Sequence, residues 1–169
     1  MESTGSGQTD AGPVPPRELA DAGATRALGA ELAERLSAAP SPTLLLIGDL
    51  GAGKTCLVQG LAAALGIDEP ITSPTFALAQ HYAGRGGALV HLDLYRLEES
   101  AAADELFSQE EEEARASCAI LAVEWPERLS FTPAGAWAVT LRHLRDGGPG
   151  RLAWLAPPAA PAVAGPPQS

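Results

Sequence analysis

The chain has 169 residues, 46% of them apolar, and its 11 basic and 21 acidic residues give a net charge of −10. That length holds one domain with one core, and the acidic balance excludes a free-standing nucleic-acid binder, whose phosphate contacts need clustered Lys and Arg. No stretch is long and apolar enough for a membrane span, and the N-terminus lacks the basic-then-apolar layout of a secretory signal, so the reading is a cytoplasmic protein away from membranes.

Residues 1–16 are Gly, Ser, Thr and Pro with hardly any apolar anchor and read as a disordered tail; residues 157–169, nearly all Pro, Ala and Gly, read the same way. The folded unit is expected over 17–156. From Arg17 to Ala39, Leu28, Leu32 and Leu36 mark an amphipathic helix closed by Pro40 and Pro42. Thr43 to Ile47 is a short apolar run suited to a buried strand. It feeds Gly48-Asp49-Leu50-Gly51-Ala52-Gly53-Lys54-Thr55, a full match to the P-loop pattern. Lys54 to Leu65 then turns helical, with Leu57, Leu61 and Leu65 on one face and Gly66 placed as a C′ residue.

Strand, glycine loop and helix are what phosphate binding needs. Glycines let the backbone curl so that successive N–H groups point at phosphate oxygens, and the helix N-terminus adds its positive field. Lys54 supplies a cation for the β- and γ-phosphates, and the Thr55 hydroxyl is placed for magnesium. The chain is read as a binder of a nucleoside triphosphate.

Ser73-Pro74-Thr75-Phe76 leads into a strand-like stretch, Thr75 to Tyr82. After a glycine turn, Ala88 to Tyr95 alternates, with Leu89, His91 and Asp93 on one face and Val90, Leu92 and Leu94 on the other. The two stretches predict a hairpin, hence a mixed sheet. Ser100 to Ala116 is helical, its run Glu110 to Glu113 read as a solvated face. Ile120 to Val123 is an apolar strand ending in Glu124-Trp125-Pro126, and Ala136–Leu144 with Arg151–Leu155 forms a second hairpin. The fold class is α/β, a P-loop NTPase-type three-layer sandwich with a mixed central sheet.

Hydrolysis also needs an acid beside the phosphates. Asp93 and Glu124 each end an apolar strand, and Glu124 is the stronger candidate because its run is uninterrupted. His81 and His91, in the two arms of the first hairpin, are read as structural, as a cross-strand pair. Trp137 and Trp154 are expected in the core or at its edge. Cys56 and Cys118 lack metal spacing and read as reduced, buried small hydrophobes.

Taken in order, Gly48–Thr55, Ser73-Pro74-Thr75-Phe76, His91-Leu92-Asp93-Leu94-Tyr95-Arg96-Leu97 and Val123-Glu124-Trp125-Pro126 resemble the TsaE (YjeE) family, small bacterial ATPases required for the threonylcarbamoyladenosine modification of tRNA. The resemblance spans roughly Ala24 to Leu155. It implies that Leu50, Gly51, Ala52, Gly53, Lys54 and Thr55 hold the phosphates of ATP, with Lys54, Asp93 and Glu124 as the catalytic set. Thr55 and Glu124 would serve Mg2+, Thr75 would contact the γ-phosphate side, and nucleobase contacts would fall near the start of the first helix and around Gly150-Arg151. It also implies partners, TsaB- and TsaD-like proteins, with tRNA met only through that complex. Cys56 departs from the family's hydroxyl residue after the P-loop threonine, and the acidic run after Asp104-Glu105-Leu106-Phe107 departs as well. Two other readings stay open here: a P-loop small-molecule kinase, against which the lack of an arginine-rich lid counts, and an interaction module switched by nucleotide binding without significant hydrolysis.

Overall fold

The computed structural model describes residues 14–39, 42–74 and 78–159. Their elements in chain order are β1 (Arg17–Leu19), α1 (Ala22–Ser37), β2 (Thr43–Ile47), α2 (Lys54–Ala64), β3 (Ala79–Ala83) and β4 (Ala88–Asp93). Then follow α3 (Ser100–Ala116), β5 (Ala119–Glu124), a single 3₁₀ turn at Pro126–Arg128, β6 (Trp137–His143) and β7 (Arg151–Ala156). The expected tails fall on residues 1–16 and 157–169, of which 1–13 and 160–169 lie outside the described residues.

The strands form one seven-stranded sheet in the order β1-β7-β6-β2-β5-β4-β3. β6, β2, β5 and β4 run parallel, the hairpin partners β3 and β7 run against them, and β1 pairs antiparallel with β7, so the sheet is mixed as expected. Period-two alternation sorts the side chains onto two faces. Leu44, Leu46, Leu89, Ile120 and Leu141 meet α1 and α2 on one face, and Leu45, Val90, Leu92, Leu121 and Val123 meet Phe107 and its neighbours of α3 on the other. Helices on both faces make the three-layer α/β sandwich.

α1 and α2 touch backbone to backbone. A Cβ on Gly29 would lie 2.1 Å from the Leu57 carbonyl oxygen, and one on Gly60 would lie 1.9 Å from that of Arg26. Only glycine permits that approach, and it clamps the helix that follows the P-loop.

The structure corrects the sequence reading in several places. Arg17–Leu19 is not the start of the first helix but an edge strand with Leu19 buried, and α1 begins after Asp21, whose carboxylate accepts from the Ala24 N–H at 2.8 Å. β3 begins at Ala79; residues 75–77, where the earlier strand start was expected, lie outside the described residues. His81 is opposite Val90, and His91 is opposite Gln80, so the histidines are one register step from a cross-strand pair. Each finds a glutamate instead. Glu110, in the run read as solvated, is buried against His81 at 2.6 Å. Both cysteines are free, but neither is buried: Cys56 is half-buried and Cys118, at a positive φ of 52° after α3, is exposed. Trp137 packs against the α1/α2 core, and Trp154 is half-buried under Arg142. Among the described residues no helix is long and apolar enough to cross a membrane.

Candidate nucleotide-binding site

The run Thr43–Ile47, buried through Leu46, ends at the carboxyl edge of the sheet, where β2 lies between β5 and β6. In an open α/β sheet that edge is where ligands bind. The chain leaves β2 through Gly48 and curls over the strand tip, with Gly51 at φ 76° and Gly53 at φ 105°, left-handed values that a side chain would strain. Gly53 caps α2 without a side-chain hydrogen bond, leaving the first-turn N–H groups of the helix as donors for an anion.

Around this loop opens a groove of about 470 Å³, lined by Leu50, Gly51, Gly53, Lys54, Thr55, Asp93 and Glu124, with Ser73, Pro74, Tyr95, Arg96 and Trp125 among its other walls. Sheet register brings the acids together: β4 and β5 are parallel neighbours, with Asp93 opposite Glu124, and Leu46 of β2 lies opposite Glu124 on its other side. Both strand-end carboxylates therefore meet the P-loop in one groove.

Lys54 is 5% exposed, and its Nζ donates to the Gly48 and Asp49 carbonyls and lies 4.0 Å from the centre of the Trp125 ring. Burial pushes its ammonium below the ordinary lysine value, opposed first by the attraction of Glu124. Asp93 accepts from Ser73 Oγ at 3.1 Å and from the Tyr95 N–H at 2.9 Å. Burial lifts its carboxyl above the usual carboxylate range; the Glu124 charge adds to that, and the Tyr95 and Ser73 hydrogen bonds oppose it. Glu124 is 3% exposed and bonded through Oε2 to His91 Nε2 at 2.6 Å.

Two expected site residues are placed differently. Ala52 is buried beneath the loop, its carbonyl turned away from the groove to accept from Arg151 Nε at 3.1 Å. Gly150 does not line the groove; it packs against the end of β1, where a Cβ would lie 2.8 Å from the Leu19 carbonyl oxygen. Thr75 lies outside the described residues, next to the groove residue Pro74.

Sequence reasoning missed the roles of three residues. Arg151 clasps the P-loop from behind, donating to the carbonyls of Gly51, Ala52, Pro149 and Gly150 at 2.8–3.1 Å. Those bonds hold the loop carbonyls outward, and no local pattern marks a partner 99 residues away. Trp125 sits in the left-handed region at φ 58°, rare for a bulky residue, with its ring against Lys54 and 4.8 Å from that of Tyr95. His91 was read as structural, although strand alternation had already put it on the face of Asp93.

The family model described as "Threonylcarbamoyl adenosine biosynthesis protein TsaE" matches residues 19–149. The chain belongs to the TsaE family. Among TsaE relatives, the tRNA threonylcarbamoyladenosine biosynthesis protein TsaE of Nostoc is 43% identical over 129 residues, 76% of this chain and 78% of that protein. The Synechocystis protein of the same description is 46% identical over 120 residues, 69% and 73% of the two chains. The crystal structure of Bacillus subtilis YdiB superposes with a TM-score of 0.59 at 27% identity, covering 83% of this chain and 84% of that one. The TsaE likeness read from four short motifs is borne out over most of the folded region, and it places the chain in tRNA threonylcarbamoyladenosine biosynthesis.

Proposed function

We propose that this chain binds ATP with magnesium in the P-loop groove, hydrolyses it slowly alone and faster on TsaB- and TsaD-like partners, and meets tRNA only through them. The observation that carries the reading is the convergence of Lys54, Thr55, Asp93 and Glu124 on one groove from three neighbouring elements. In it, backbone N–H groups of the loop and α2 would hold the phosphates, and Lys54 would exchange its bonds to the Gly48 and Asp49 carbonyls for β- and γ-phosphate oxygens. Leu50 to Thr55 form the phosphate-binding set, with Thr75 on the γ-phosphate side.

Thr55 and Glu124 would hold Mg2+, which when bound neutralises charge on the phosphates. The donors fit that ion: magnesium takes one or two carboxylates and leaves its other positions to phosphates and water. The groove offers a hydroxyl beside two carboxylates, and among the described residues there is no cluster of three or more His, Cys, Asp or Glu. Asp93, the second acid, is held by Ser73 and the Tyr95 N–H at the strand tip, where a water attacking the γ-phosphate would need orientation.

A hydrolase is favoured over a kinase by α3. The segment after Glu98 is one helix packed on the sheet, and its arginine, Arg115, pairs with Glu111 at 3.4 Å, so it offers no arginine lid over an acceptor. The net charge of −10 suits a component that leaves tRNA to others. A location in the cytoplasm is part of the proposal.

The test is phosphate release measured with each partner alone and with both. The expected result is a low basal rate raised by the pair; equal rates in every mixture, or tight tRNA binding by the isolated chain, overturn the reading.

A further inference from the structure

Nothing in the folding of β4 asks for a histidine at position 91. The side chain is 0% exposed, on the same sheet face as Leu89 beneath α1 and α2. A leucine fills that face two residues earlier. His91 makes one side-chain hydrogen bond, Nε2 to Glu124 Oε2 at 2.6 Å, and its Nδ1 has no partner among the described residues. With Glu124 ionised, its carboxylate accepts from Nε2–H. A buried polar atom without a partner lowers stability whether it is a donor or an acceptor. The histidine is therefore a poorer core residue than an apolar one of its size, and its one bond is to a groove acid.

Glu124 needs such a partner because of what lies across the groove. Lys54 feels Glu124 as its strongest electrostatic attraction. Yet the lysine is bonded to the Gly48 and Asp49 carbonyls and the glutamate to His91, so each is held on its own side. Released from His91, a flexible glutamate could swing onto the ammonium, and the cation and the acid would neutralise each other.

We propose that His91 is a positioning residue for Glu124, fixing Oε2 against β4 so that Oε1 faces the groove and Lys54 stays available for phosphate. The proposal rests on the reading of Glu124 as a functional acid. It is distinct from a packing role, because packing alone would be served better by leucine.

The test compares His91→Leu, His91→Gln and His91→Asn with Glu124→Gln, in ATP hydrolysis with the partners present, ATP binding, and thermal melting. Glutamine carries an amide nitrogen where His91 has Nε2; asparagine carries it where His91 has Nδ1. His91→Leu is expected to stay folded and to bind ATP more weakly than the parent, because a released Glu124 competes with phosphate for Lys54. Its kcat should fall ~10- to 100-fold, the usual scale for removing the partner that orients a functional ligand. His91→Gln should recover most of the rate and His91→Asn little. Parental turnover by His91→Leu, equal rates for the glutamine and asparagine variants, or a rate loss that only tracks loss of folded protein overturns the positioning role. If His91→Leu fails to fold, a packing role is favoured, and equal rates for the two amide variants then confirm it. Parental turnover by Glu124→Gln instead overturns the reading of Glu124 itself, which keeps the two failures apart.

Discussion

Two histidine–glutamate contacts in this protein have the same length, 2.6 Å, and very different surroundings. His91 and Glu124 have side chains 0% and 4% exposed and join neighbouring parallel strands at the groove floor. His81 and Glu110 are 50% and 12% exposed and tie the edge strand β3 to α3. In the first pair water cannot replace the partner, so the bond fixes where a carboxylate points. In the second, water competes for a half-exposed imidazole, and the contact does little more than trim an edge. Distance does not rank such contacts; the dielectric around them and what lies beyond the carboxylate do.

The comparison can be broken most forcefully through the cation beyond the buried pair. Lys54→Ala should lower ATP affinity by ~10-fold or more, the scale of a lost charge-assisted hydrogen bond, and take hydrolysis below detection while circular dichroism stays native. Parental hydrolysis in that variant would remove the functional meaning of the buried pair altogether.

Next in size is the contrast between the two acids. Glu124→Gln keeps shape and loses charge, so ATP should still bind while turnover drops by ~100-fold, the scale of one positioned electrostatic group. Glu110→Gln should leave turnover unchanged. Matching losses in single-turnover assays would erase the distinction between the pairs.

A smaller effect concerns the acid beside Glu124. Burial, helped by the Glu124 charge, raises the Asp93 carboxyl in the folded state. A raised folded value means that the fold favours the protonated form. This contribution is full below the unfolded pKa and is lost as pH rises through the folded value. Thermal melting of Asp93→Asn should therefore gain on the parent as pH climbs from the ordinary carboxylate range toward neutrality. A difference that is flat or reversed with pH would show that Asp93 is not penalised by its site.

The smallest effect belongs to the outer pair. A double-mutant cycle on His81→Ala and Glu110→Ala, read by denaturant unfolding, should give a coupling of about 0.2–1 kcal/mol, as for exposed ion pairs. A coupling well above that would mean that the edge of β3 is closed to water.

Much of the fold was legible because its signals are local. The P-loop, the leucine spacing of α2, the alternation along β4 and the helical run of α3 each report backbone geometry within a few residues. Asp21 carried a cap signal that sets the true start of α1, and reading helix through Arg17 passed over it. The site was legible to the same depth: Leu50, Gly51, Gly53, Lys54, Thr55 and both strand-end acids stand out by position and line the groove, while Ala52 and Gly150 do not. Arg151 and Trp125 did not stand out, since the clasp on Gly51 and Ala52 and the left-handed turn after Glu124 are made by partners distant in the chain.

By itself the sequence determined the element types, the phosphate-binding loop and the family, because periodicity, glycine placement and short motifs are properties of neighbouring residues. Tertiary structure decided which residues meet. Period-two alternation says which face His91 occupies, but only the sheet order, with β5 inserted between β2 and β4, says that this face touches Glu124, 33 residues away. The same order sets Asp93 opposite Glu124 and sends His81 to Glu110 rather than to His91. A strand carries no local record of its neighbour in the sheet, because hydrogen-bonded pairing is chosen by the packing of both faces at once.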